Sequence, residues 1–171
     1  MAHNPGGRTS APHRGQLGCP FTAQTLPWRR APVKGPYGGV VPKVVPCVGA
    51  VVMDEAGRLL LVRRGRPPAE DTWSLPGGRV EAGEDDVAAV AREVLEETGL
   101  VVTVGDLVGM VRRDGPDGTV YEIADYRCVV ESGDLQAGDD AADVRWYRPE
   151  GIDDVDTSPR LVETLRGWGV L

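Results

Sequence analysis

A chain of 171 residues, 41% hydrophobic and 26% charged, carries enough apolar material for one domain with a real core and too little for two ordinary ones. A net charge of −7 suits nonspecific polyanion binding poorly, and no apolar run approaches the roughly 18 residues that span a bilayer. Three widely spaced cysteines (Cys19, Cys47 and Cys128) exclude a fully paired disulfide framework and a four-cysteine zinc site, which makes a reducing cytoplasm the expected compartment.

Residues 1–43 are dense in Pro, Gly and Arg and lack periodicity, so they are expected to form a flexible N-terminal extension ahead of a domain over 44–171. No hydrophobic run of signal-peptide type interrupts them. Charge is split unevenly: residues 1–53 carry +6 and the rest carries −13. The basic arm is either a flexible tail or a contact for phosphate or a partner subunit.

From Val44 the pattern becomes regular. A β-branched run over 44–54 and a second run over 58–64 flank the Asp54-Glu55-Ala56-Gly57 turn, which predicts a hairpin. After a loop opened by Arg66-Pro67-Pro68, Trp73 to Leu75 form a short extended piece leading into Pro76-Gly77-Gly78. A helical pattern then runs from Asp85 to Glu97, with acids in its first turn and Gly99 as its stop. Val87, Val90, Ala91, Val94 and Thr98 are its predicted core-facing stripe. Strand patterns follow over 101–104, 107–112 and 119–130, the last two joined by a turn over 114–118. A loop over 131–142 precedes a strand over 143–147. The chain closes in a helix over 158–168, with Ser158 as cap and Pro159 in first position. Strands mixed with two helices predict an α+β fold in an α/β/α layering.

The helix over 85–97 carries the chemistry. Glu93, Glu96 and Glu97 occupy positions i, i+3 and i+4, within an arc of roughly 100°. Like charges so close destabilise a helix, and a single Arg92 does not neutralise three acids. Such a face is either a solvated acidic surface or a set of hard oxygen ligands of the kind Mg²⁺ or Mn²⁺ requires. The flanks decide between them. Gly78, Glu84, Arg92, Glu93, Val94, Glu96, Glu97, Gly99 and Leu100 match every fixed position of the Nudix signature, Gly-x5-Glu-x7-Arg-Glu-U-x-Glu-Glu-x-Gly-U with U aliphatic. The chain therefore resembles a Nudix hydrolase.

That resemblance implies a mixed sheet between helices and a Mg²⁺-dependent pyrophosphohydrolase, with Mn²⁺ as a possible substitute. It implies Glu93, Glu96, Glu97 and the backbone carbonyl of Gly77 as metal ligands, Arg92 as the group that orients the glutamates, and Glu84 in electrostatic support. A phosphoanhydride resists attack because its negative oxygens repel nucleophiles, so cations and an activated water are what its cleavage needs. The general base is either Glu93 or Asp140. Asp139 and Asp140 precede the strand bearing Trp146, and are either an outside ligand or base, or a solvated acidic loop.

For substrate contacts, Arg63 and Arg64 leave the second strand near the glycine loop, as phosphate partners or as exposed strand-end charges. Trp73 either stacks on a base or packs under the loop. Pro116 lies at the distance that marks some ADP-ribose pyrophosphatases, yet a Pro-Asp-Gly turn explains it equally. The expected substrate is a small nucleotide: a nucleoside diphosphate linked to another group, either an NDP-sugar such as ADP-ribose or a nucleoside triphosphate. No nucleic-acid or membrane partner is expected, and the protein is expected to be a monomer or homodimer. The alternative function is a non-catalytic Nudix-fold nucleotide sensor, which the full set of box carboxylates disfavours.

Overall fold

The structure, a computed structural model, describes residues 42–66 and 69–171. The predicted N-terminal extension falls almost entirely outside them.

Among the described residues, six strands and two α-helices make up the fold: β1 (Val44–Val52), β2 (Leu59–Arg64), β3 (Trp73–Ser74), α1 (Asp86–Thr98), β4 (Leu100–Asp114), β5 (Val120–Gly133), β6 (Ala141–Tyr147) and α2 (Leu161–Gly167). They form two three-stranded sheets, ordered β1-β5-β4 and β3-β2-β6. The β1–β5 pair is parallel and every other ladder is antiparallel, so the first sheet is mixed. This is the α+β layering the sequence predicts.

The β1–β2 hairpin does not form as expected. The turn is present, with the Asp54 N–H bonded to the Arg58 carbonyl at 3.0 Å, but only a single bridge joins Met53 to Leu59. The strands then part into different sheets, because β1 has a partner on each side: β5 on one, and the glycine loop on the other. Along that second edge Val48 donates to the Gly78 carbonyl at 2.9 Å, and Ala50 to the Pro76 carbonyl at 2.8 Å. The strands expected over 101–104 and 107–112 are one continuous β4, with register shifts between Val104 and Leu107 and between Leu107 and Gly109. Bulges absorb the interruption that the sequence pattern presents as a break. The turn over 114–118 is a hairpin turn as predicted, with Gly115 donating to Thr119 at 2.7 Å.

Alternate residues of β1 face two cores. Val48, Ala50 and Val52 pack with Ala89, Val90 and Val94 of α1, while Val51 joins Leu59, Leu61, Trp73, Ile152 and Leu165 under α2. Burying each of the two α1 valines contributes roughly 1.5–3 kcal/mol. Asp85 caps α1, its carboxylate accepting from the Ala88 N–H at 2.8 Å, and Gly99 closes it in the left-handed conformation.

The predicted stripe needs two corrections. Ala91 is only half-buried while Ala89 is fully buried. Val87 is 46% exposed, and Asp86 is buried in its place. The reason is a partner across the sheet: the Tyr126 hydroxyl donates to Asp86 Oδ2 at 2.9 Å. The closing helix also starts later than predicted, at Leu161. Arg160 occupies its cap position in the left-handed conformation without a capping side-chain bond, and Ser158 serves instead in the preceding turn, where Leu161 donates to its carbonyl at 3.1 Å.

Tyr126→Phe withdraws a donor from a buried carboxylate and is expected to cost about 1–3 kcal/mol of stability, read by urea denaturation.

Candidate active site

The acidic helix face meets the glycine loop through one arginine. Arg92 Nε donates to Glu84 Oε1 at 2.8 Å and its Nη2 to Glu84 Oε2 at 3.0 Å. Its Nη1 reaches Glu93 Oε1 at 2.8 Å and Glu96 Oε2 at 3.2 Å, and Nη2 also donates to the Arg79 carbonyl at 3.0 Å. The bidentate pair with Glu84 raises the guanidinium's affinity for its proton and holds the Glu84 carboxyl below its usual range.

Glu97 is held from the other side, accepting from the Gly77 N–H at 2.9 Å. Burial is the main influence on Glu97 and pushes its carboxyl up to about 7. The Glu93 carboxyl is raised by burial too, against the opposing pull of Arg92. Gly77 takes φ +152°, and a Cβ there would collide with the Val48 carbonyl oxygen, so the loop can lie this close to β1 only with glycine.

The Asp139–Asp140 loop arrives at the C-terminal end of α1, where helix carbonyls lack intrahelical donors. Gln136 donates to the Thr98 carbonyl at 3.0 Å and Gly138 to the Glu97 carbonyl at 3.1 Å. A side chain on Gly138 would collide with the Glu96 carbonyl, so this docking too requires glycine. The result is a cavity of about 420 Å³ lined by Arg66, Glu93, Glu96, Glu97, Asp139 and Asp140. Arg66 Nη2 pairs with Asp140 Oδ1 at 2.8 Å.

Among the described residues no three His, Cys, Asp or Glu side chains are already converged as a closed chelate. The donor set nevertheless fits a hard divalent cation: five carboxylates and no sulfur or imidazole line the cavity, which is open enough for retained water.

A larger cleft of about 690 Å³ continues from the acids toward α2, past Arg64, Arg79, Arg113, Tyr121, Asp125 and Trp168. A family model described as NUDIX domain matches residues 43–165, which take in the whole box, both loops and all of the cleft lining but Trp168. The chain belongs to the Nudix family. It is thereby a hydrolase of the class acting on phosphorus-containing acid anhydrides.

Among relatives, a MutT-like protein from Streptomyces ambofaciens is 36% identical over 125 residues, covering 71% of this chain and 77% of its own. An ADP-ribose pyrophosphatase from Methanocaldococcus jannaschii is 36% identical over 113 residues, 64% of this chain and 62% of its own. This chain thus spans less than two thirds of that relative. A putative 8-oxo-dGTP diphosphatase 2 from Mycobacterium tuberculosis is 40% identical over 114 residues, 64% of this chain and 75% of its own. Among solved structures, the MutT protein from Methanosarcina mazei Go1 superposes with a TM-score of 0.68 at 26% identity, covering 77% of this chain and 96% of its own.

In this Nudix protein the sequence-derived substrate residues separate. Arg64 lines the cleft. Arg63 does not: consecutive strand residues face opposite sides, and Arg63 points away from the cleft toward Asp71, 3.6 Å from its carboxylate. Trp73 packs into the α2 core at 8% exposure, edge-on to Tyr147 with ring centroids 5.0 Å apart, and does not line the cleft. Pro116 lies at its rim.

Sequence reasoning missed Arg66, Arg79, Arg113, Tyr121 and Asp125. Only Asp125 left a legible trace: an acid in the middle of the β5 run, between Ala124 and Tyr126 and away from any turn. It is 5% exposed, and burial pushes its carboxyl up to about 7 despite the nearby charge of Arg113. A carboxyl raised in the folded state costs nothing below its unfolded value near 4 and becomes increasingly destabilising as pH rises toward 7. Asp125→Asn is therefore expected to stabilise the fold by a few kcal/mol at most, on the order of what a shift of this size implies, above pH 7. The gain should shrink toward zero near pH 4, as read by melting temperatures across that range.

Proposed function

We propose that this protein is a Mg²⁺-dependent pyrophosphohydrolase that cleaves the phosphoanhydride of a nucleoside diphosphate linked to another group. One observation carries the reading. The box carboxylates and the Asp139–Asp140 loop line the same cavity, and that cavity opens into a nucleotide-sized, arginine-lined cleft.

In this reading Glu93, Glu96 and Glu97, with the Gly77 carbonyl, hold the cation, for which Mn²⁺ can substitute. The bound cation supplies charge neutralisation on the phosphoryl oxygens and makes water more acidic. Arg92 keeps the glutamates in register, and Glu84 keeps Arg92 in place. Arg64 and Arg66 stand beside the acids and pair with substrate phosphate. A phosphate that competes for Arg66 releases the Asp140 carboxylate, which then takes the proton from the attacking water. Glu93 is the competing base, but its contact with Arg92 leaves it less free to accept a proton.

Relatives named as an ADP-ribose pyrophosphatase and a putative 8-oxo-dGTP diphosphatase support both an NDP-sugar and a nucleoside triphosphate as substrate classes. We further assign the catalytic unit to residues 44–171, with 1–43 as an appended extension, and place the protein in the cytoplasm as a monomer or homodimer without nucleic-acid partners.

Incubation with Mg²⁺ and a nucleotide panel tests the function: AMP from ADP-ribose, or pyrophosphate from a triphosphate, is the expected product. Intact binding with no turnover of any nucleotide would instead support a sensor. Glu97→Gln should lower kcat by several kcal/mol, more than about a hundredfold, with little change in melting temperature. Near-wild-type turnover of that variant would remove Glu97 from the metal site. Asp140→Asn should lower kcat with cation affinity largely kept, whereas Glu93→Gln should lower both. Full activity of Asp140→Asn at every pH would return the base role to Glu93.

A further inference from the structure

Asp125 has no role in the chemistry above, yet it occupies the cleft through which a nucleotide would reach the acids. On β5 it pairs with Gly49 of the parallel β1, and its carboxylate lies over that glycine so closely that a Cβ there would collide with Oδ1. Tyr126 and Ala124 on either side point into the α1 core, so Asp125 faces the other way, into the cleft. It is 95% buried, as its 5% exposure implies, and none of the hydrogen bonds or ion pairs of the described residues involves its side chain. Its surroundings in the cleft are Val111, Ile123, Leu161 and Trp168, with Arg113 as the nearby positive charge.

A buried carboxyl without a hydrogen-bond partner is costly, and proteins rarely leave one except where a ligand completes it. An ionised carboxylate offers only acceptors, two oxygens side by side. An apolar lining that includes an indole suits a nucleobase better than a ribose, whose hydroxyls favour water. The base that presents two adjacent donors is guanine, through N1–H and the 2-amino group. Adenine and cytosine each alternate a donor with an acceptor on the corresponding edge.

We propose that Asp125 is the specificity-determining residue of this cleft and reads the N1–H and 2-amino edge of a guanine-type nucleobase. The proposal rests on the nucleotide pyrophosphohydrolase reading above and specifies its substrate class. Asp125 touches the base and takes no part in bond cleavage.

Paired substrates that differ by one donor test it. Inosine triphosphate lacks only the 2-amino group, so the wild-type enzyme should favour GTP over ITP by roughly tenfold or more in kcat/KM, mostly through KM. In Asp125→Asn an amide N–H₂ faces the 2-amino group, donor against donor. The GTP/ITP ratio should then fall to about one or below. A GTP/ITP ratio that is the same in both proteins overturns the proposal, as does equal use of GTP and ATP by the wild type. A variant that alters GTP against dGTP instead would assign the carboxylate to the ribose.

GMP and IMP contain no anhydride, so their binding to the wild-type protein, measured by calorimetry, reads base recognition without turnover. Tighter GMP binding that Asp125→Asn abolishes supports the base assignment even if no triphosphate is hydrolysed. In that event only the pyrophosphohydrolase reading fails. Equal GMP and IMP affinity, with triphosphates turned over normally, sinks the base assignment and leaves the hydrolase reading intact.

Discussion

Everything at the acidic face depends on the guanidinium of Arg92. Glu93 and Glu96 share its helix, Glu84 and Arg79 belong to the preceding loop, and all four supply oxygen to this one group. Without it, three carboxylates within a turn of helix and a fourth across the loop would repel one another, and each would reorient toward water. With it, the loop and the helix are tied together and the glutamates adopt one arrangement. The planar fork of donors makes this possible; an ammonium has no comparable geometry. Only half the problem is solved this way, since Glu97 lies outside its reach and is positioned by the Gly77 N–H instead.

Two glycines set the distances around that face. Gly77 lets the loop run against β1, which aims its N–H at Glu97, and Gly138 lets the later loop cap the helix end. Backbone approach of this kind replaces side chains as the means of assembly. It brings acids from one loop and one helix around a single cavity while leaving their carboxylates available. Burial raises the Glu93 and Glu97 carboxyls, against the opposing pull of Arg92 on the first and of the Gly77 N–H on the second.

The parallel pairing of β1 with β5 gives the molecule two distinct sides. Residues of one parity build the α1 core, and those of the other line the cleft and the α2 core. The same alternation explains why Arg63 and Arg64, adjacent in the chain, have different surroundings. It also explains how Asp125 lies between two core residues and yet opens to the cleft.

The box was legible from the sequence because its determinants are local. Helical spacing alone puts Glu93, Glu96 and Glu97 on one face, and Gly99, Asp85 and Arg92 act within a few turns of it. The family, the layering and most element positions followed from the same short-range patterns. What the chain alone did not determine depended on contacts between distant segments. A tyrosine 40 residues away made Asp86, rather than Val87, the buried residue of its turn. The edge contacts of β1 with the glycine loop drew it away from β2, and bulges merged two apparent strands into β4. Trp73 had sequence arguments for stacking and, somewhat stronger, for packing, and the closure of the α2 core committed it to packing. The cleft belongs wholly to this second kind of information, since its walls come from eight separate stretches of chain. A pattern with period 2 or 3.6 records which side of an element a residue faces; it does not record what the fold brings to that side.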